Sequence, residues 1–133
     1  MHRAIRILLV DGDVPLRLML RSVLEHEGYD VALSYGGADA RREMDAGEIR
    51  FLIVDNGFHS AAGLELADYA STLGIPVMLM AEQRGGDEML ARGPHPYIVK
   101  PFRTREFADK VRAVLAAANA EGRGLHGVTP AAG

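Results

Sequence analysis

Five times along the chain a short, apolar run rich in β-branched residues appears, and longer segments with helical spacing separate these runs. That alternation leaves few folds open. The runs are Ile5 to Val10, Tyr29 to Leu33, Phe51 to Val54, Ile75 to Met80 and Tyr97 to Val99. Most are nearly continuous in apolar side chains, the pattern of strands covered on both faces. Residues 29–33 are more mixed and suit an edge strand. Between the runs, Leu16, Met19, Leu20, Val23 and Leu24 follow helical spacing up to Gly28. Ala38 to Met44 reads as a weaker helix closed near Gly47, and Leu64 to Leu73 as one closed by Gly74. A short helix is expected around Glu88 to Arg92, and Phe107, Val111, Val114, Leu115 and Ala118 stripe a last helix. Strands alternating with helices imply parallel βαβ units, and right-handed crossovers put helices on both faces. The expected fold is therefore α/β, a doubly wound five-stranded parallel sheet.

The chain's 133 residues suit one domain, and 48% hydrophobic residues suffice for one core. Past Asn119 the sequence turns to Gly, Ala and Pro, so the expected division is 1–119 folded and 120–133 a flexible tail. Cysteine is absent, which removes disulfides, thiolate nucleophiles and cysteine-held metals. The formal net charge is −3 and no basic run exceeds Arg41-Arg42, so no nucleic-acid partner is expected. The first apolar run stops at Asp11, too short for a membrane span or a signal-peptide core. No membrane association is expected, and a cytoplasmic setting is.

In open parallel sheets the ligand site lies beyond the carboxyl ends of the strands. Four residues stand there: Asp11, Asp55, Ala81 and Lys100. A single aspartate after a strand is often only a cap. Two carboxylates and a lysine at one rim exceed what packing asks for. Such groups suit phosphoryl capture: a carboxylate can take up a phosphoryl group as an acyl phosphate. Cations placed in advance, a lysine or a Mg²⁺ held by oxygen ligands, stabilise the charge that is transferred.

These residues resemble the receiver domain of bacterial two-component response regulators. The resemblance covers residues 5–118 and rests on Leu9-Val10-Asp11, Leu52-Ile53-Val54-Asp55, Gly63-Leu64-Glu65-Leu66, Ile75-Pro76-Val77 and Tyr97-Ile98-Val99-Lys100-Pro101-Phe102. It implies a flavodoxin-like sheet of strand order 2-1-3-4-5. It also implies that Asp55 accepts a phosphoryl group, that Lys100 pairs with it, and that the Lys100-Pro101 bond is cis. Mg²⁺ would be held by Asp11, Asp55 and the backbone carbonyl of Gly57. Tyr97 would be the aromatic switch, although a half-buried strand residue reads the same way. The implied phosphoryl donor is a histidine kinase or phosphotransfer protein. The implied readout is the face of helix 4 (around Glu88 to Arg92), strand 5 and helix 5, which could also pair two copies. The implied role is signalling, not enzymatic catalysis.

Two departures from the pattern matter most. Gly12 stands where the family has a second acidic residue, usually the direct carboxylate ligand of the metal, which makes Mg²⁺ binding weak or doubtful. Asp13, one step on, is open to two roles, a displaced ligand or the cap of the helix that Pro15 helps to start. Ala81 replaces the family's Ser or Thr and cannot donate the hydrogen bond that links the phosphoryl group to the switch. A charge-assisted bond of that kind is worth roughly 1.5–3 kcal/mol, comparable with a whole coupling energy. Glu82 beside it adds unwelcome negative charge, and His59 takes the place of an expected proline. The alternative is thus an atypical receiver that acts as an interaction module without phosphorylation. Arg103, Arg105, Lys110 and Arg112 read as a solvated face balanced by Glu106 and Asp109. No output domain fits after residue 118, so the sequence reads as a stand-alone regulator or a piece of a longer chain.

Overall fold

The computed structural model describes residues 3–55, 62–82, 93–122 and 128–129. The expected short helix around Glu88 to Arg92 lies outside these residues, as do Gly57 and His59. The sheet strands are β1 (Arg6–Val10), β2 (Asp30–Ser34), β3 (Phe51–Asp55), β4 (Val77–Ala81) and β5 (Tyr97–Val99). The helices are α1 (Val14–His26), α2 (Gly37–Asp45), α3 (Ala62–Thr72) and a C-terminal helix (Thr104–Ala120).

All neighbouring strands run parallel in the spatial order β2-β1-β3-β4-β5, which is the expected 2-1-3-4-5. Leu8 stands opposite Ala32 on one side and Leu52 on the other, and Ile53 opposite Met78. Successive side chains in a strand point to opposite faces, so each central run feeds two cores. Ile7, Leu9, Ile53, Met78 and Met80 pack with Leu20 and Leu24 of α1 and with Phe107, Val111 and Leu115 of the C-terminal helix. Leu8, Val10, Leu52, Val54 and Leu79 pack with Ala40 and Met44 of α2 and with Leu66, Ala67 and Ala70 of α3. This is why the central runs show no polar alternation. β2, on the edge, has only Ser34 fully buried.

Local chemistry sets the helix ends. Asp13 caps α1, its Oδ1 accepting the Leu16 N–H at 3.1 Å, with Pro15 in the first turn. Gly28 leaves α1 at φ 98° and Gly74 leaves α3 at φ 75°, a region where a Cβ is strained. Pro76 stays outside β4, but its carbonyl still accepts from Leu52 N at 2.9 Å. β4 therefore begins at Val77, two residues later than the apolar run suggested, and ends on Ala81, one residue later.

Arg103, Arg105 and Lys110 are exposed, as expected of a solvated face, and only Arg112 is half-buried. Arg112 Nη2 reaches Glu27 at the end of α1 at 2.7 Å, and Arg105 Nη1 lies 3.6 Å from the same carboxylate. These contacts tie the two helices on one face of the sheet. The expected pairing within the helix is also present, Arg112 and Arg105 lying 3.4 and 3.8 Å from Asp109. Within the segment expected as a tail, Val128–Thr129 pair in parallel with Arg3–Ala4, a contact the sequence reading did not give it.

Candidate functional site

The carboxyl ends of β1, β3, β4 and β5 meet at one rim. Asp11 follows β1, Asp55 ends β3, Ala81 ends β4, and Lys100 follows β5. Lys100 N donates to Ala81 O at 2.8 Å, extending the β4–β5 pairing to the site itself. The Lys100-Pro101 bond is cis, as expected.

The Lys100 ammonium lies 3.2 Å from Asp11 Oδ2 and 3.2 Å from Asp55 Oδ1. Its side chain is 16% exposed and that of Asp11 only 2%. Burial pulls the lysine's pKa down, but the charges of Asp55 and Asp11 more than offset it, so the ammonium is held above its ordinary value. The second oxygen of Asp11, Oδ1, accepts the Asp13 N–H at 2.8 Å. Asp13 itself has turned to the helix as its cap, the second of its two open roles.

A small cavity of about 130 Å³ opens beside this pair, lined by Asp11, Gly12, Asp55, Tyr35, Gly36 and Gly63 among others. Ala81 is fully buried and, as the sequence implied, offers only a methyl group at the end of β4. Tyr97 is half-buried and packs against the core cluster that contains Ala81.

The structure adds a residue the sequence reading missed. Arg17 is 2% exposed. Its Nη1 donates to the backbone carbonyl of Asp11 at 2.8 Å, and its guanidinium carbon lies 3.9 Å from the centre of the Tyr35 ring. Its Nε has no hydrogen-bond partner among the described residues. A signal was available: Arg17 stands three before Leu20 and seven before Leu24, on the buried stripe of α1.

The described residues do not make a divalent-cation site as they stand. Mg²⁺ is held by oxygen donors and gives up water reluctantly. Here both side-chain carboxylates already face an ammonium, position 12 carries no side chain, and Asp13 serves the helix. Among the described residues no cluster of three His, Asp or Glu side chains is placed to hold a metal.

The comparisons with known proteins agree with this fold. The family profile of the response regulator receiver domain matches residues 7–112. The transcriptional regulatory protein CpxR of Escherichia coli is 32% identical over 116 residues, which cover 83% of this chain and 49% of that protein. The response regulator MprA of Mycobacterium ulcerans is 29% identical over 117 residues, 84% of this chain and 50% of that one. A CheY-like receiver domain protein from Methanospirillum hungatei superposes with a TM-score of 0.78 at 24% identity, covering 90% of this chain and all of that one (100%). A response regulator receiver protein from Sinorhizobium medicae gives a TM-score of 0.76 at 24% identity, over 87% and 98% of the two chains. The chain belongs to the receiver domain family of two-component response regulators. It spans about half the length of the curated relatives it matches. Among the described residues no helix is long and apolar enough to cross a membrane.

Proposed function

We propose that Asp55 is the phosphoryl acceptor of this receiver and that the donor is a histidine kinase or phosphotransfer protein. The observation that carries the reading is the Lys100 ammonium set 3.2 Å from both Asp11 and Asp55 at the rim of the sheet. A carboxylate oxygen of Asp55 attacks the phosphorus, the bond from phosphorus to the donor nitrogen breaks, and an aspartyl phosphate forms. Lys100 is placed to pair with the oxygens of the incoming group. The signal is then read on the face that holds β5 and the C-terminal helix, where Tyr97, Val99, Glu106 and Lys110 line a shallow groove. The same face is the candidate surface for pairing two copies. The domain acts as a relay and not as an enzyme.

The test is incubation with acetyl phosphate followed by intact-mass measurement. A gain of one phosphoryl group that disappears in Asp55→Ala is the expected result. No gain, or one that survives the substitution, contradicts it.

Ala81 supports a second reading, an interaction module whose output ignores phosphorylation. A buried methyl group cannot join a phosphoryl oxygen to the half-buried Tyr97. On that reading Asp55→Asn leaves partner binding unchanged; a clear loss of binding in that variant argues for the first.

A further inference from the structure

The pocket pairs its charges in an unusual way. Asp11 and Asp55 supply two negative charges. Lys100 supplies one positive charge between them, and the buried Arg17 guanidinium supplies another, behind Asp11 and hydrogen-bonded to its carbonyl. Arg17 makes no ion pair among the described residues; apart from the Asp11 carbonyl, its guanidinium rests against the Tyr35 ring. The four groups cancel formally. A third carboxylate at position 12 would leave the pocket negative and give a divalent cation a reason to bind. Position 12 has room for one: Gly12 lines the cavity beside Asp11 and Asp55, and a Cβ built on it meets nothing within 4 Å.

We infer that Lys100, backed by Arg17, does the cationic work of this pocket in place of a divalent metal, and that Gly12 is the residue that decides it. The inference rests on Asp55 being the acceptor, and it deepens that reading by fixing what the acceptor needs. An acyl phosphate donor then reacts without a bridging ion. Its phosphorus forms a bond to a carboxylate oxygen of Asp55, the bond from phosphorus to the acyl oxygen breaks, and the carboxylate leaves with the electron pair. The ammonium of Lys100 meets the negative charge of the transferred oxygens. Neutral balance among these four groups before transfer means that Asp11 and Asp55 present no uncompensated charge to an incoming dianion.

Two measurements test this, and the first involves no phosphoryl chemistry. Mn²⁺ is titrated into the native protein, Gly12→Asp and Gly12→Asn, and followed by calorimetry and water-proton relaxation. The native protein is expected to bind weakly and Gly12→Asp about tenfold tighter or better. The uncharged, similarly sized Gly12→Asn is expected to show no such gain. A native protein that binds Mn²⁺ as tightly as Gly12→Asp overturns the inference, and so does a folded Gly12→Asp protein that binds no tighter than the native one. The second measurement is the rate of labelling of the native protein by acetyl phosphate in EDTA and in Mg²⁺. Rates within about twofold support the inference, since a group that stabilises transferred charge normally changes rates by far more. Labelling that requires Mg²⁺ overturns the inference while leaving Asp55 as acceptor. No labelling under either condition counts against Asp55 as acceptor, and the Mn²⁺ titration then decides the metal question by itself.

Discussion

Lys100 Nζ stands at equal distance, 3.2 Å, from a carboxylate oxygen of Asp11 and one of Asp55, although 45 residues separate Lys100 from Asp55 and 89 from Asp11. Only the parallel order of β1, β3, β4 and β5 brings the three together. Removing the ammonium leaves two carboxylates at close quarters, one of them almost wholly buried.

Lys100→Met should therefore destabilise the fold at neutral pH, by about 3 kcal/mol, the scale of breaking a buried pair by removing one partner. The deficit should shrink towards high pH, because the contribution of Lys100 is itself lost there. Its folded pKa is raised above the ordinary lysine value. The stabilisation is fully present below that unfolded value and fades as pH climbs through the folded one. Urea unfolding of both proteins from pH 5 to pH 11 measures this. A constant difference across that range would contradict it.

Asp13 is expected to behave as a cap and not as a ligand. Asp13→Ala should cost about 1 kcal/mol, the usual loss of an N-cap. It should leave Mn²⁺ binding by Gly12→Asp at the same strength. Thermal melts and the same ion titration separate the two roles, and a loss of ion affinity would place Asp13 in the metal site after all.

Ala81→Ser restores a hydroxyl at the end of β4. In the resting protein that hydroxyl is buried, so a cost of about 1–3 kcal/mol is expected unless it finds a partner. In the phosphorylated protein it gains an acceptor. The change in the Tyr97 ring resonances on phosphorylation should then be larger than in the native chain. Equal changes in the two proteins would mean that the hydroxyl has no part in moving Tyr97.

Arg17→Met keeps most of the bulk under Tyr35 but orphans the Asp11 carbonyl. The hydrogen bond involves a charged group, so a loss of about 1.5–3 kcal/mol is expected. Tyr35→Leu removes only the ring over the guanidinium, at about 0.5–1 kcal/mol, since Tyr35 is 73% exposed. Denaturant midpoints of the two variants order them. A larger loss for Tyr35→Leu would show that the ring, and not the Asp11 carbonyl, holds Arg17 in place.

The sheet was legible because strands covered on both faces need apolar residues at every position, and Ile7 to Val10, Leu52 to Val54 and Val77 to Met80 supply them. The site was legible because Asp11, Asp55 and Lys100 interrupt such runs at the end where a parallel sheet puts its ligands. Arg17 escaped notice because a charge on a helix ordinarily faces water, and only the packing of Leu20 and Leu24 below it shows that this one does not. Glu27 escaped for another reason. Its partners Arg105 and Arg112 lie on a distant helix, and no local spacing announces a contact between the two. The β4 boundary shifted because Pro76 cannot donate to the ladder, so the strand begins after it and ends on Ala81.

The acyl phosphate itself gives the most direct test of the central claim. Borohydride reduces an aspartyl phosphate to homoserine, which marks the acceptor permanently for peptide mapping. After reaction with acetyl phosphate and reduction, homoserine is predicted at position 55 and nowhere else. Homoserine at Asp11 or Asp13, or none at all in a folded protein, would contradict the account.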